Sequence, residues 1–299
     1  MAEIRHGAEQ LALGQDLMSI SFHNIKQSLE PVPNSGPASR TVVSVATVSK
    51  RFQSRTDVIR AVEDVSLDIR AGEFISIVGP SGCGKSTLMN MVAGLLPTTE
   101  GEIVVNGGRV TGPVHELGVV FQQHLLLPWR TILNNVMLQI EVRRLKRADY
   151  LSRANDLLRR VGLGDFADRF PDELSGGMNQ RASIVRALVH DPDLLLMDEP
   201  FGALDAMTRD QMGLDFHHLS REEGKTVLFI THSISEAVFL SNRVVIMSPR
   251  PGRIQEILPI ELPRERHFEI REEPEFSRYT RHIRRVFEGM GVLREERNS

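Results

Sequence analysis

Along the 299 residues, apolar and polar positions fall into alternating stretches, wholly apolar stretches and stretches with helical spacing. From Thr41 the run TVVSVATVSKRF alternates and is rich in β-branched residues, and VIRAVEDVSLDI repeats the pattern from Val58. Such period-two alternation predicts strands with one buried face, here an antiparallel pair. GEIVVNGGRV predicts a further strand and a turn at Asn106, Gly107 and Gly108. Short apolar runs ending at Val78, Gln122 and Met197, followed by TVLFITHS over Thr226–Ser233 and RVVIMS over Arg243–Ser248, predict strands buried on both faces, as in a parallel sheet. Helical spacing begins near Lys85 and extends from Thr131 to about Leu163, with Ile132, Val136, Ile140, Leu151, Leu157, Leu158 and Val161 as the apolar positions. It returns over Ala206–Glu222 and around Ser235–Leu240. Strands alternating with helices predict an α/β fold with right-handed crossovers, a parallel central sheet and a ligand at the strands' carboxyl ends.

Three segments stand apart from that alternation. Residues 1–40, closing on EPVPNSGPASR, read as a flexible N-terminal extension. The insert between Thr131 and Leu163 carries Arg143, Arg144, Lys146, Arg147, Arg153, Arg159 and Arg160. Two readings of that basic face stand side by side: a solvated helix surface, or a patch facing a membrane or partner. Residues 251–299 hold a strand-like IQEILPIEL and a charged segment, EFSRYTRHIRRVFEGM, expected to be a solvated surface helix.

Composition narrows the class of protein. A hydrophobic fraction of 41% is that of an ordinary globular core, and a net charge of −3 offers no global basic field for nucleic acid. The single cysteine, Cys83, allows neither an internal disulfide nor a thiolate zinc site. No uncharged apolar run reaches 18 residues, so the chain is expected not to cross a membrane itself. The N-terminus mixes charges and glycines with its leucines and lacks a signal-peptide core, which sets a cytoplasmic expectation.

The chemistry concentrates after the apolar run ending at Val78. There Gly79, Gly84, Lys85 and Ser86 satisfy GxxxxGK[ST], the loop whose amides cradle phosphates, with Pro80, Ser81, Gly82 and Cys83 between the two glycines and Thr87 directly after. Its lysine reaches the terminal phosphates and its hydroxyl suits magnesium. A helix starting near Lys85 adds unpaired amides and a favourable dipole. The apolar strand through Met197 delivers Asp198 and Glu199 together at its end. One carboxylate suits magnesium, and its neighbour suits the water that attacks the γ-phosphate. In LSGGMNQR, Ser175 opens a helix, which by itself is an ordinary N-cap. His115, His124, His217 and His218 have no metal-ligand spacing.

The ordered set GPSGCGKST, the glutamine closing VVFQ, LSGGMNQR, LLLMDEP, ALDA and the histidine of FITHS resembles the ATP-binding cassette (ABC) ATPases over roughly Val42 to Ser248. The resemblance implies a P-loop NTPase cassette over residues 41–250, with an N-terminal antiparallel β subdomain and a helical signature subdomain at about 123–180. It implies ATP and Mg2+ as cofactors. It places Phe52 on the adenine ring, with a core phenylalanine as the alternative, and Ser86, Gln122 and Asp198 on magnesium. Gln122 becomes the Q-loop glutamine, with Gln123 as the competing neighbour, and Glu199 and the switch histidine His232 join it as catalytic residues. Ser175, Gly176, Gly177 and Gln180 become a signature that completes the site of a second copy, and Asp205 the aspartate across that interface. Asn179 departs from the arginine, glutamine or lysine expected there, which puts helix contacts in doubt rather than nucleotide binding.

Leu125–Trp129 (LLLPW), the Asn134, Asn135, Val136 ending and SPRPGRIQEILPIELPR resemble ATPase subunits of nitrate, sulfonate and taurine importers. For LLLPW, core packing is the alternative reading. Roughly 50 residues follow the last parallel strand, too few for the regulatory barrel of sugar-importer ATPases. The resemblance implies a homodimer on the cytoplasmic face of the inner membrane, a transmembrane permease and, indirectly, a solute-binding protein. Alternatives are a cassette of a lipid-transfer or other importer complex, or a non-transport cassette.

Overall fold

The computed structural model describes residues 40–54 and 57–293; the expected extension before Arg40 lies outside the described residues. Two sheets organise this part of the chain. Strands β1 (Thr41–Gln53), β2 (Val58–Arg70), β4 (Glu100–Val105) and β5 (Gly108–Arg109) form an antiparallel sheet in the order β2-β1-β4-β5. The β4–β5 connection is the Asn106–Gly107 turn, with φ of 50° and 81° at the two residues. Positive φ at both central positions is what a tight hairpin with right-handed strand twist requires.

The second sheet has the order β10-β9-β3-β8-β7-β6. Strands β3 (Phe74–Val78), β6 (Leu117–Val120), β7 (Leu194–Asp198), β8 (Thr226–Ile230) and β9 (Arg243–Met247) run parallel, and β10 (Ile254–Pro259) adds an antiparallel edge. Alternate side chains of the same strand enter different cores. Phe74, Leu195, Met197, Val227, Phe229, Val244 and Ile246 meet the helices. Ile75, Ile77, Leu194, Leu196, Leu228, Ile230 and Val245 meet the antiparallel sheet. Burial on both faces is why these strands read as unbroken apolar runs. Because five strands are parallel, the segments that follow β3, β6, β7, β8 and β9 all leave from one edge.

Helix α1 (Lys85–Val92) follows the phosphate-type loop. The insert comprises α2 (Ile132–Val136), α3 (Leu138–Val142) and α4 (Arg147–Arg160), and leads to α5 (Gly176–Leu188). Arg144, Lys146, Arg147 and Arg159 are exposed, as a solvated face would have them, but three of the basic residues fit neither expectation. Arg153 pairs with Glu223 at 2.6 Å and Asp191 at 2.9 Å, Arg160 pairs with Glu223 at 2.8 Å, and Arg143 donates to the carbonyls of His115 and Leu117. These cations tie the insert to the sheet and its helices.

Helices α6 (Ala206–Glu222) and α7 (Ile234–Leu240) cover the parallel sheet. Helix α8 (Pro274–Gly289) corrects the expectation of a solvated tail helix: Phe276, Tyr279, Ile283 and Phe287 are buried, and it packs on α7. Spacings of three and four residues put those side chains on one stripe, each worth about 1.5–3 kcal/mol on burial. Leading into it, Arg266 is 2% exposed and donates to the carbonyls of Phe239 at 2.8 Å and Ser241 at 3.2 Å.

Candidate functional site

At the shared edge of the parallel strands lies a cleft of about 510 Å³. Ser81, Gly82, Gly84, Lys85, Ser86 and Thr87 form its floor, Phe52, Ile59 and Ala61 an apolar wall, and Gln122, Asp198 and Glu199 the opposite side. Gly79, Pro80 and Cys83 support the loop from behind and do not line the cleft. Glycine is needed at Gly84: φ is +109°, and a Cβ would lie 2.7 Å from the Ala61 carbonyl oxygen. Gly84 ends in the N-cap position of α1, so the helix's free amides face the loop's interior.

Lys85 is 6% exposed and its ammonium donates to the Gly79 and Pro80 carbonyls at 2.9 and 3.1 Å. Those carbonyls hold the cation until an anion competes for it. The Cys83 thiol is turned inward, and burial raises its pKa, so it stays a neutral packing group.

Ser86 donates to Asp198 Oδ1 at 3.0 Å. Burial raises the Asp198 pKa and the neighbouring Glu199 charge adds to the rise, while the Ser86 hydrogen bond and Lys85 oppose it. A cation between these oxygens would relieve both effects. Glu199 has φ +45°, uncommon for a residue with a Cβ, and its backbone N–H donates to the Ile230 carbonyl at 2.9 Å. That twist turns its carboxylate out of the strand direction and into the cleft. His232, leaving β8, places Nδ1 3.3 Å from Glu199 Oε2 and reaches the cleft only through that carboxylate. Buried beside it, Thr231 donates to Glu236, whose pKa burial raises.

Of the two adjacent glutamines, Gln122 lines the cleft and Gln123 does not. Phe52 is 39% exposed on the cleft wall, with Lys50 Nζ 5.2 Å from its ring centroid, so it is not a core phenylalanine. A residue that the motifs did not single out completes the mouth: Arg250, from the loop after β9, lines the cleft and donates to the Gly82 carbonyl at 3.1 Å. Its place in SPRPGR carried no chemical signal, because 168 residues separate it from Gly82.

The signature residues lie elsewhere. Ser175 and Gly176 are exposed, Gly177 is half-buried, and none of them lines the cleft. Ser175 caps α5 by accepting from the Met178 N–H at 3.3 Å. Gln180, grouped with them in sequence, is 4% exposed, and its position inside its own chain is not that of a residue presented outward. Asn179, 6% exposed, donates to the Pro171 carbonyl at 2.8 Å and anchors the segment before the helix. Asp205 caps α6 through the Thr208 N–H at 3.0 Å. No cluster of three or more potential metal-ligating His, Cys, Asp or Glu side chains occurs among the described residues.

A glycine-rich loop on a helix N-terminus, with a serine and paired carboxylates at parallel strand ends, defines a P-loop ATPase. Comparisons with known proteins carry this further. The ABC transporter family profile matches residues 62–202. The chain is 42% identical to an uncharacterized ABC transporter ATP-binding protein of Methanocaldococcus jannaschii, over 85% of this chain and 92% of that one. It is 48% identical to the taurine import ATP-binding protein TauB of Roseobacter denitrificans, over 72% and 80%, and 45% identical to TauB of Rhizobium johnstonii, over 79% and 92%. Its fold is similar to the dimeric post-hydrolysis structure of an ATP-binding cassette bound to ADP and Pi. There the TM-score is 0.65 at 32% identity, covering 74% of this chain and all of that one. The protein belongs to the ABC transporter ATP-binding family and is an ATPase.

Proposed function

We propose that this chain is the ATP-hydrolysing subunit that powers import of a small anionic solute, such as nitrate, a sulfonate or taurine, through a partner membrane permease. The observation that carries the reading is the loop after Gln122. Asn135 is fully buried, and its side-chain amide bonds both the N–H and the carbonyl of Leu127 at 2.7 and 3.0 Å. That clamp buries Leu126 yet leaves Leu125 52% and Trp129 70% exposed. A rigid apolar platform a few residues from a cleft-lining glutamine suits a part that passes the state of the nucleotide to a partner. The names of the taurine-import relatives support the solute class.

In this reading Lys85 and the loop amides bind the phosphates, and Phe52 stacks on the base. Ser86, Asp198 and Gln122 fit Mg2+, a hard cation that takes oxygen ligands. Bound there, the ion would neutralise charge on the β- and γ-phosphates. Glu199 accepts a proton from the attacking water, and His232 orients Glu199 for that step. Ser175–Gly177 complete the cleft of a second copy, so that ATP joins two chains; their exposure away from their own cleft supports this. The subunit would sit peripherally on the cytoplasmic face of the inner membrane and meet the solute-binding protein only through the permease. Among the described residues no helix is long and apolar enough to cross a membrane.

The test is co-purification with the permease in lipid vesicles. Solute-loaded binding protein should stimulate ATP turnover, and Leu125→Ala with Trp129→Ala should abolish that stimulation while ATP binding by the free subunit persists. A permease-stimulated rate unaffected by both substitutions would overturn the docking assignment. Stimulation by lipid acceptors instead of solute would favour the lipid-transfer alternative.

A further inference from the structure

We propose that Arg250 is a nucleotide-binding residue: its guanidinium closes the mouth of the phosphate cleft from a loop outside the ATPase motifs and pairs with the phosphates of a bound nucleoside di- or triphosphate. The inference rests on the nucleotide reading of the cleft and extends it.

Three observations place Arg250 there. It lines the cleft together with Phe52, Lys85 and Ser86. Its Nε donates to the Gly82 carbonyl at 3.1 Å, so the side chain lies along the loop that curls around the anion. The loop that carries it is fixed to that same region. The Gly252 N–H donates to the Ala61 carbonyl at 3.0 Å, and the Glu63 N–H donates to the Gly252 carbonyl at 3.0 Å. A Cβ on Gly252 would lie 2.0 Å from the Cys83 carbonyl oxygen, so the loop seats directly against the phosphate loop's backbone. Arg253 adds an ion pair to Glu63 at 2.8 Å.

Charge supplies the chemical reason. The cleft is lined by two carboxylates, Asp198 and Glu199, and two cations, Lys85 and Arg250. Lys85 is buried and engaged by two carbonyls, whereas Arg250 is exposed. The Gly82 carbonyl engages Nε, and the two terminal nitrogens of the fork are the donors that suit phosphate oxygens. A polyphosphate entering this cleft needs a counter-charge on the side away from Ser86 and Asp198, and Arg250 provides one.

The test uses the purified full chain with fluorescent ATP and ADP analogues, followed by steady-state ATPase assays. Arg250→Ala should weaken both nucleotides about tenfold, equivalent to about 1.4 kcal/mol. The loss should fall on KM, with a smaller effect on kcat. Arg250→Gln retains a donor for Gly82 but no charge, and should bind as weakly as the alanine variant. Arg250→Lys should recover part of the affinity, and added salt should narrow the gap between wild type and Arg250→Ala. Wild-type affinity in Arg250→Ala would overturn the proposal, and so would full recovery in Arg250→Gln, which would reduce Arg250 to a support for Gly82. Lys85→Ala, measured in parallel, separates the two levels. If it too binds ATP normally, the nucleotide reading of the cleft fails; if it alone loses binding, only the role of Arg250 fails.

Discussion

Helices α1 and α5 both begin at glycine-rich segments, and both present free amides at their N-termini, yet their surroundings differ. Around the start of α1 the fold gathers Lys85, Ser86, Asp198, Glu199, Gln122 and Arg250 from four separate segments. Around the start of α5 the exposed residues are Ser175 and Gly176, with a side-chain cap as the local interaction. A helix dipole attracts an anion by about 0.3–1 kcal/mol at an exposed terminus, too little to define a site. Converging side chains make the first terminus a site, and the second requires groups that its own chain does not bring.

The largest expected break in the comparison is Glu199→Gln. It should lower turnover by about 10²–10⁴-fold while ATP still binds, because proton acceptance is lost and the loop is untouched. Turnover within a factor of a few of wild type, measured by phosphate release, would remove Glu199 from the chemistry. Lys85→Ala should weaken ATP about 100-fold, since charged hydrogen bonds contribute about 1.5–3 kcal/mol each; a calorimetric titration measures it directly.

A pH scan separates the scaffold from the site. His217 on α6 is 5% exposed, and burial pushes its pKa down to about 4, with Arg266, Arg221 and His218 adding to the shift. The folded state therefore keeps it neutral while the unfolded chain protonates near pH 6.5, so the unfolded state binds more protons between those values. Stability from this group is present above about pH 6.5 and is lost as pH falls toward 4, by up to about 3 kcal/mol. His217→Gln should flatten that part of a chemical-denaturation profile; an unchanged slope would contradict the burial argument.

The smallest expected effect sharpens the comparison most. Ser175→Ala removes a cap worth about 1 kcal/mol to its helix. Mixed with Glu199→Gln subunits, it should regain turnover if the signature acts across a dimer, because one composite site then has both its serine and its glutamate. No recovery would confine the signature to its own chain.

Legibility in the sequence followed the range of each interaction. The phosphate-type loop, the paired carboxylates and the strand alternation are local patterns; the structure places the loop and the carboxylates around one cleft and the alternating apolar residues in a core. Arg250 was missed because only tertiary folding brings it to Gly82. Arg153 and Arg160 of the insert read as part of a surface face because their partners, Glu223 and Asp191, lie 38 to 70 positions along the chain. Helix α8 was different. Its stripe Phe276, Tyr279, Ile283 and Phe287 was present in the sequence, and the surrounding charges masked it. Gln180 shows the opposite error, since membership in a motif placed at a surface a side chain that helix geometry turns inward.

The backbone at Glu199 has a consequence for how this protein tolerates change. A left-handed conformation at a residue with a Cβ costs about 1–2 kcal/mol, which Glu199→Gly would relieve. The freer unfolded chain of a glycine would take back about 0.5–1 kcal/mol. The Ile230 bond is made by the backbone N–H and would survive. A screen for folded, soluble variants would thus pass the glycine without notice, and a turnover assay is the measurement that would tell the two residues apart.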